Sequence, residues 1–158
     1  MSSALTCLFA GNSGSRVYYL DQGNNVRELA WNGSGWDSNP LAPGQPANPG
    51  APLTCVYTGG FGLPLFSDVY YQDVGNNIRR LFWTGNGWDD KNVLAPAKPG
   101  GPLACLDTGG RASRVYYLDQ GNNIREVGWD GRGFLKISDP LAPAKQRRVP
   151  RLLPGPRE

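Results

Sequence analysis

The feature that most constrains the fold is a long segment that occurs three times. Ser15–Trp36, with the sequence SRVYYLDQGNNVRELAWNGSGW, returns nearly unchanged at Ser113–Phe134 and in a looser form at Ser67–Trp88. A cysteine precedes each copy, and these cysteines are 48 and 50 residues apart. Repeats with a period of roughly 20 to 50 residues are typical of solenoids, propellers and other arrays, so the chain is a repeat protein.

Each repeat contains four short segments with strand signals, separated by Gly, Asn and Pro. No segment has a helical period. In the first repeat the predicted strands are residues 5–10, 16–21, 25–31 and 36–41. Four strands in a repeat of this length predict an all-β fold built from β-propeller blades, each with four antiparallel strands. A β-sandwich or a stack of hairpins is the alternative.

The repeats divide the chain into one propeller domain of three blades, predicted at residues 4–52, 53–102 and 103–144. Because closed propellers usually have about four to eight blades, we expect half of a six-bladed ring that pairs, or a piece of a longer protein. Residues 145–158 leave the repeat pattern and predict a disordered basic tail. The alternative for this tail is a frame slip that ended a longer array of blades.

The composition argues against several classes of function. The net charge is +3, and five basic residues follow Ala144, so the body is nearly neutral and does not resemble a nucleic-acid binder. The start of the chain has no leader pattern and no apolar run is long enough for membrane insertion, so we expect a cytoplasmic protein or one secreted without a classical signal peptide. Histidine is absent and the carboxylates are scattered, so we expect no metal and no cofactor. Cys7, Cys55 and Cys105 share one repeat position and are predicted to be buried free thiols.

The central hairpin of the repeat predicts which side chains share a face. If residues 22–24 form a three-residue loop with one residue in the left-handed region, Asp21 pairs with Asn25. Counting outward then places Arg16 and Glu28 on one face as diagonal neighbours, and Trp31 on the opposite face. A two-residue loop would instead separate Arg16 from Glu28. Because blades pack face to face, each seam would combine an Arg/Glu pair from one blade with tryptophan from its neighbour.

Such a seam has the chemistry to bind a sugar. A carboxylate accepts hydrogen bonds from vicinal hydroxyls, a guanidinium donates to hydroxyl and ring oxygens, and an indole covers the apolar side of the ring. The alternative is a structural ion pair beside a core tryptophan, in a propeller that binds protein through its loops. A glycosidase would need two carboxylates, whereas each Arg/Glu pair supplies one, held ionised by its arginine. Asp21 and Asp119 are interpreted as turn formers.

The repeats resemble the blades of the fucose-binding six-bladed propeller lectins of the Aleuria aurantia type, found in fungi and bacteria. In that family, runs of the form R-V-Y…N-x-I-x-E…W-x-G-x-G-W recur in every blade, and the resemblance covers all three repeats of this chain. The resemblance implies a multivalent, non-catalytic lectin for L-fucose and fucosylated glycans. It also implies that the sugar lies between blades, with Arg and Glu from one blade and two tryptophans from the next.

Carried onto this chain, the resemblance predicts two kinds of competent site. One combines Arg16 and Glu28 with Trp83 and Trp88. The other combines Arg114 and Glu126 with Trp31 and Trp36 of a second copy, in a homodimer that closes six blades. The middle seam departs from the pattern, and we predict that this degenerate site is silent for fucose; its residues are Asp68, Arg80, Trp129 and Phe134.

Overall fold

The computed structural model describes residues 4–10, 14–41, 45–58, 66–130, 132–136 and 140–143, and these residues form strands, turns and loops without a helix. The predicted tail at 145–158 lies outside the described residues. The strands are β1 (Leu5–Phe9), β2 (Ser15–Leu20), β3 (Val26–Trp31), β4 (Trp36–Pro40), β5 (Leu53–Tyr57), β6 (Ser67–Gln72), β7 (Asn77–Trp83), β8 (Trp88–Pro96), β9 (Leu103–Gly109), β10 (Ala112–Leu118), β11 (Asn123–Trp129), β12 (Phe134–Lys136) and β13 (Ala142–Pro143).

The strands form three antiparallel sheets in which neighbours in sequence are neighbours in space. Blade 1 is β1–β4, blade 2 is β5–β8 and blade 3 is β9–β12, with the short β13 added beside β11. The all-β blade fold expected from the repeats is therefore confirmed, and the strands of the first repeat agree with prediction to within a residue at most ends. Alternating apolar residues interrupted by Gly and Asn turns explain this agreement.

The hairpin loop between β2 and β3 has the predicted three-residue form. Asn24 is in the left-handed region with φ 60°, and the Asp21 amide donates to the Asn25 carbonyl at 3.0 Å. The Asp21 side chain accepts from the Asn25 amide at 2.9 Å, which confirms its interpretation as a turn former. This loop sets the register in which Tyr18 faces Glu28 and Arg16 faces Ala30. The prediction that Arg16 and Glu28 share a face is thus confirmed.

The hydrophobic core lies between the blades, with blade 2 in the middle. Between blades 1 and 2, Tyr18, Leu20 and Val26 pack with the face of blade 2 that carries Leu53, Val69, Tyr71 and Leu81. Between blades 2 and 3 a second cluster is built in the same way; it contains Val56, Tyr70, Ile78, Val115, Tyr117 and Val127. We call these interfaces the first seam and the second seam.

The outward faces of blades 1 and 3 keep the same apolar pattern but are uncovered. Leu5 on blade 1 is 67% exposed, whereas Leu53, at the same repeat position, is 9% exposed. On blade 3 Leu106 is 42% exposed, whereas its counterpart Val56 is 8% exposed. Two faces of the type that forms a seam therefore remain without a neighbouring blade in the described chain.

The prediction of three buried thiols is wrong for Cys7. All three cysteines are free, but Cys7 is exposed and the other two are half-buried. The cause is the position of the blades, because Cys55 and Cys105 face a preceding blade and Cys7 faces none. Cys55 lies 3.3 Å from the Thr6 hydroxyl, and Cys105 lies 3.3 Å from the Thr54 hydroxyl.

Candidate functional site

The paired aromatic residues of each blade are set by a tight turn between its third and fourth strands. In blade 1 the Asn32 side chain accepts hydrogen bonds from the amides of Ser34 and Gly35 at 2.9 and 2.8 Å. This turn makes Trp31 and Trp36 cross-strand partners, with ring centroids 5.5 Å apart. In blade 2 the corresponding indoles of Trp83 and Trp88 are 5.8 Å apart. The W-x-G-x-G-W motif therefore presents two indoles on one face of its blade.

The Arg/Glu pair of blade 1 is held in place from several directions. Arg16 Nε lies 3.5 Å from Glu28 Oε1, and Arg16 Nη1 donates to the carbonyl of Ser15 at 3.1 Å. Glu28 is 7% exposed, and its Oε2 accepts a hydrogen bond from the side-chain amide of Asn39 (Nδ2) at 3.3 Å. Charge and orientation are therefore fixed before any ligand arrives, which reduces the ordering cost of binding.

These charged groups share a cavity of about 350 Å³ in the first seam with the indoles of the next blade. The structure thus brings together the four residues predicted for this seam. The cavity is lined by Ala10, Arg16, Glu28, Ala30, Asn39, Ser67, Trp83 and Trp88. Sequence reasoning missed Asn39 and Ser67. Asn39 could have been found, because an asparagine recurs at this repeat position: Asn39 lies opposite Glu28 in blade 1, and Asn92 lies opposite Arg80 in blade 2.

A buried tyrosine supports the floor of this cavity. Tyr18 is completely buried, and its ring meets that of Trp88 edge to face, with centroids 5.8 Å apart. Burial, with a further contribution from the Glu28 charge, raises the pKa of the Tyr18 phenol far above its usual range, so the side chain stays neutral. Tyr18 therefore packs against the Trp88 ring as a neutral side chain.

The second seam is built differently, as the reversed charge order predicted. Arg80 Nη2 donates to both carboxylate oxygens of Asp68, at 2.8 and 2.9 Å. Both residues are buried, with exposures of 5% and 0%. The Tyr70 hydroxyl adds a hydrogen bond to Asp68 at 3.3 Å and lies 2.9 Å from the Ser113 hydroxyl. This pair is tighter and deeper than the pair formed by Arg16 and Glu28.

The Arg80 guanidinium also covers the aromatic wall of the second seam. Its central carbon lies 4.6 Å from the ring centroid of Phe82, 4.6 Å from that of Trp129 and 5.4 Å from that of Phe134. Phe82 occupies the position of Ala30 in blade 1, so the space beside the pair is filled by a ring. In the first seam the aromatic surface lines the cavity. In the second seam the corresponding aromatic surface is in contact with the guanidinium of Arg80.

The third Arg/Glu pair lies on the uncovered face of blade 3. Arg114 Nε is 3.2 Å from Glu126 Oε1. Gly128 makes room for it, because a Cβ at this position would lie 2.8 Å from Arg114 Nη1. The hydrogen bond with Glu126 raises the pKa of Tyr116. Trp31 and Trp36, predicted to complete this site, are at the other end of the chain beyond blade 2, where they are 38% and 49% exposed.

The described residues also bear on metal sites and membrane spans. Among those residues, no group of three or more carboxylate or thiol side chains is placed to hold a metal ion. Nor does the described part of the chain contain a helix that could cross a membrane.

Comparison with a family of proteins gives a match over the second half of the chain. The sequence profile of the fungal fucose-specific lectins matches residues 63–145, just over half of the chain. No curated protein matches the sequence.

Comparison with solved structures gives matches over nearly the whole chain. The SapL1 lectin in complex with alpha methyl fucoside is 27% identical with a TM-score of 0.75, over 90% of this chain and 48% of that one. The six-bladed β-propeller lectin of Aleuria aurantia is 25% identical with a TM-score of 0.76, over 90% and 48%. A fucose lectin from Kordia zhangzhouensis, in complex with methyl-fucoside, is 19% identical with a TM-score of 0.62, over 87% and 99%. The chain thus spans about half the length of the first two.

Proposed function

The chain belongs to the family of fungal fucose-specific lectins, and from that membership we propose that it binds L-fucose and fucosylated glycans in the seams between blades. Binding is multivalent and involves no catalysis. The observation that carries the proposal is the first cavity, where Arg16 and Glu28 face Trp83 and Trp88 across the seam.

The residues of this cavity match the chemistry of a deoxy sugar. Glu28 supplies an ionised acceptor and Arg16 a set of donors, and such charge-assisted hydrogen bonds are roughly twice as strong as neutral ones. The indoles cover C–H groups, and burying a methyl-sized group adds about 1 kcal/mol. A volume of about 350 Å³ is at the small end of the range for ligand pockets and suits a single sugar ring.

A second site of the same type is completed by another copy of the chain. The pair formed by Arg114 and Glu126 has the geometry of the pair in blade 1, with closest distances of 3.2 and 3.5 Å. Its missing wall is the hairpin of Trp31 and Trp36, which is exposed at the opposite end of the chain. Two chains joined head to tail by two-fold symmetry would close a ring of six blades and complete both of these sites.

The uncovered faces support this homodimer. In the first seam, Tyr18, Leu20 and Val26 of one blade pack on the next. Blade 3 presents Tyr116, Leu118 and Ile124 at the same repeat positions, and all three are partly exposed. The Kordia lectin, matched over 99% of its length, is a similarly short chain with this fold.

Two other functions fit the seams less well. A glycosidase needs two carboxylates beside the scissile bond, whereas Glu28 is the carboxylate among the residues that line the first cavity. A protein-binding scaffold would use exposed loops, and it would not need a cavity that combines an ion pair with two indoles. We therefore favour the lectin over the glycosidase and the protein-binding scaffold.

A glycan array tests the proposal directly. We expect the chain to bind fucosylated glycans and to be released by free L-fucose, with little binding to the same glycans without fucose. Binding that is independent of fucose would favour the protein scaffold and contradict the proposed function.

A further inference from the structure

We propose that the second seam, which is unsuited to fucose, binds a sugar that carries a carboxylate. This inference rests on the proposed lectin function, because it assigns a second ligand class to the same propeller. The starting observation is that the second seam is not closed. It holds a cavity of about 310 Å³, close to the 350 Å³ of the first seam.

The charged side chains that line the two cavities differ. Arg16 and Glu28 line the first cavity and balance each other. The second cavity is lined by two arginines, Arg80 and Arg111, and by one carboxylate, Asp89. Its lining therefore has a formal charge of +1. Asp68 neutralises Arg80 from behind but is completely buried and is not among the lining residues. Counting Asp68, the charges of the second seam sum to zero, but two guanidinium groups line its cavity, and guanidinium groups bind a ligand carboxylate through charge-assisted hydrogen bonds.

The Arg80 guanidinium has hydrogen-bonding capacity left over. It carries five N–H groups, and among the described residues it donates to Asp68 through Nη2 alone. Its Nε is buried and has no hydrogen-bond partner in the described structure. Leaving a buried donor of a charged group unpaired costs free energy. A ligand carboxylate that reached the exposed part of the guanidinium would accept charge-assisted hydrogen bonds from it.

Other lining groups add donors at the rim of this cavity. Arg111 stacks on Phe66, with its guanidinium carbon 4.4 Å from the ring centroid, and so is held beside the cavity. Thr58 supplies a hydroxyl at the repeat position that Ala10 occupies in the first seam. Asn92 supplies an amide, and Asp89 is already engaged with a partner. The carboxylate of the ligand would therefore face Arg80 and Arg111, with its hydroxyls toward Thr58 and Asn92.

The proposal is tested on the full chain with methyl β-D-glucuronide, using the methyl β-D-glucoside as a neutral control with the same ring. We expect titration calorimetry to show saturable binding of the glucuronide and at least about tenfold weaker binding of the glucoside, since a charged hydrogen bond contributes that much or more. Equal affinities for the two glycosides, or no binding of the glucuronide at millimolar concentration, would overturn the proposal.

Substitutions separate this site from the fucose site. Arg111→Gln should weaken glucuronide binding about tenfold and leave fucose binding unchanged. Arg27→Gln is the matched control, because Arg27 pairs with Asp21 at an outer hairpin and should affect neither ligand. Glu28→Gln should affect fucose and not the glucuronide. If Glu28→Gln instead abolished glucuronide binding, the second seam would not be its site. A wild-type chain that binds fucose but not the glucuronide would contradict this inference alone, whereas a wild-type chain that does not bind fucose would contradict the proposed function.

Discussion

At the scale of the residue, one repeat position distinguishes the ion pairs of the three blades. It holds Glu28 in blade 1, Arg80 in blade 2 and Glu126 in blade 3. A carboxylate at this position accepts hydrogen bonds from sugar hydroxyls, whereas a guanidinium has no acceptor. A second repeat position adds to the difference, because blade 2 carries the large Phe82 ring where blades 1 and 3 carry Ala30 and Gly128.

The substitution Glu28→Gln should abolish most fucose binding at the first seam without unfolding the chain. The amide keeps the shape but removes the ionised acceptor, and losing a charged hydrogen bond costs about 1.5 to 3 kcal/mol, or roughly 10- to 150-fold in affinity. Titration with methyl fucoside measures this. Glu126→Gln is the matched variant, expected to remove the other class of site. Unchanged fucose affinity in the Glu28→Gln variant would show that Glu28 has a structural role and does not bind the sugar.

At the scale of the element, the hairpin loops fix the register that puts the site residues on one face. The same loop recurs with Asn24, Asn76 and Asn122 in the left-handed region. In blade 3 the Asp119 carboxylate accepts from the Asn123 amide at 2.8 Å and from Arg125 Nε at 2.7 Å. The hydrogen bond from the backbone of Asn123, followed by the hydrogen bond from the side chain of Arg125, lowers the pKa of Asp119 to about 2. The ionised form is therefore the one that stabilises the turn.

Asp119→Asn should lower the melting temperature, and the difference should depend on pH in a defined direction. Because the pKa of Asp119 is depressed in the folded chain, its contribution is present above the unfolded pKa of 3.8 and is lost as the pH falls toward about 2. The melting temperatures of wild type and variant should thus converge between pH 4 and pH 2. A constant difference over this range would show that the charge of Asp119 does not act in the turn.

Much of the fold and of the first site could be predicted because the information is local. Turn residues and alternation predict the hairpins, and counting from the loop predicts that Arg16 and Glu28 share a face. The exposure of Cys7 could not be predicted, because it depends on which blades flank β1. The contact of Arg80 with Trp129 and Phe134 could not be predicted either, because it depends on how far the Arg80 side chain reaches across the seam.

At the scale of the whole molecule, the two uncovered blade faces are the basis of the proposed homodimer. They carry the two halves of the proposed second sugar site, Arg114 with Glu126 on one and Trp31 with Trp36 on the other. Closing the ring would bury apolar side chains such as Leu5 and Leu106, which are 67% and 42% exposed. Burial of such a face contributes roughly 25 cal/mol per Å² of apolar surface.

Sedimentation equilibrium should therefore give a mass of about 34 kDa, twice the chain mass of 17.1 kDa. Leu5→Arg should shift the mass toward the single chain, because the charge would be buried in the new seam. Val93→Arg is the control, since Val93 is similarly exposed at 53% but lies on β8 of the middle blade. The Cys7 thiol should react slowly in the dimer and quickly in Leu5→Arg. A wild-type mass of one chain would contradict ring closure.

The stoichiometry of fucose binding tests the central claim most directly. Titration calorimetry of the intact chain with methyl α-L-fucoside should give about two molecules per chain. One lies in the first seam with Glu28, and one lies with Glu126 in the seam completed by a second copy, while the seam of Asp68 and Arg80 stays silent. The absence of saturable heat would contradict fucose binding between blades. A value of three per chain would show that the reversed ion pair still binds the sugar.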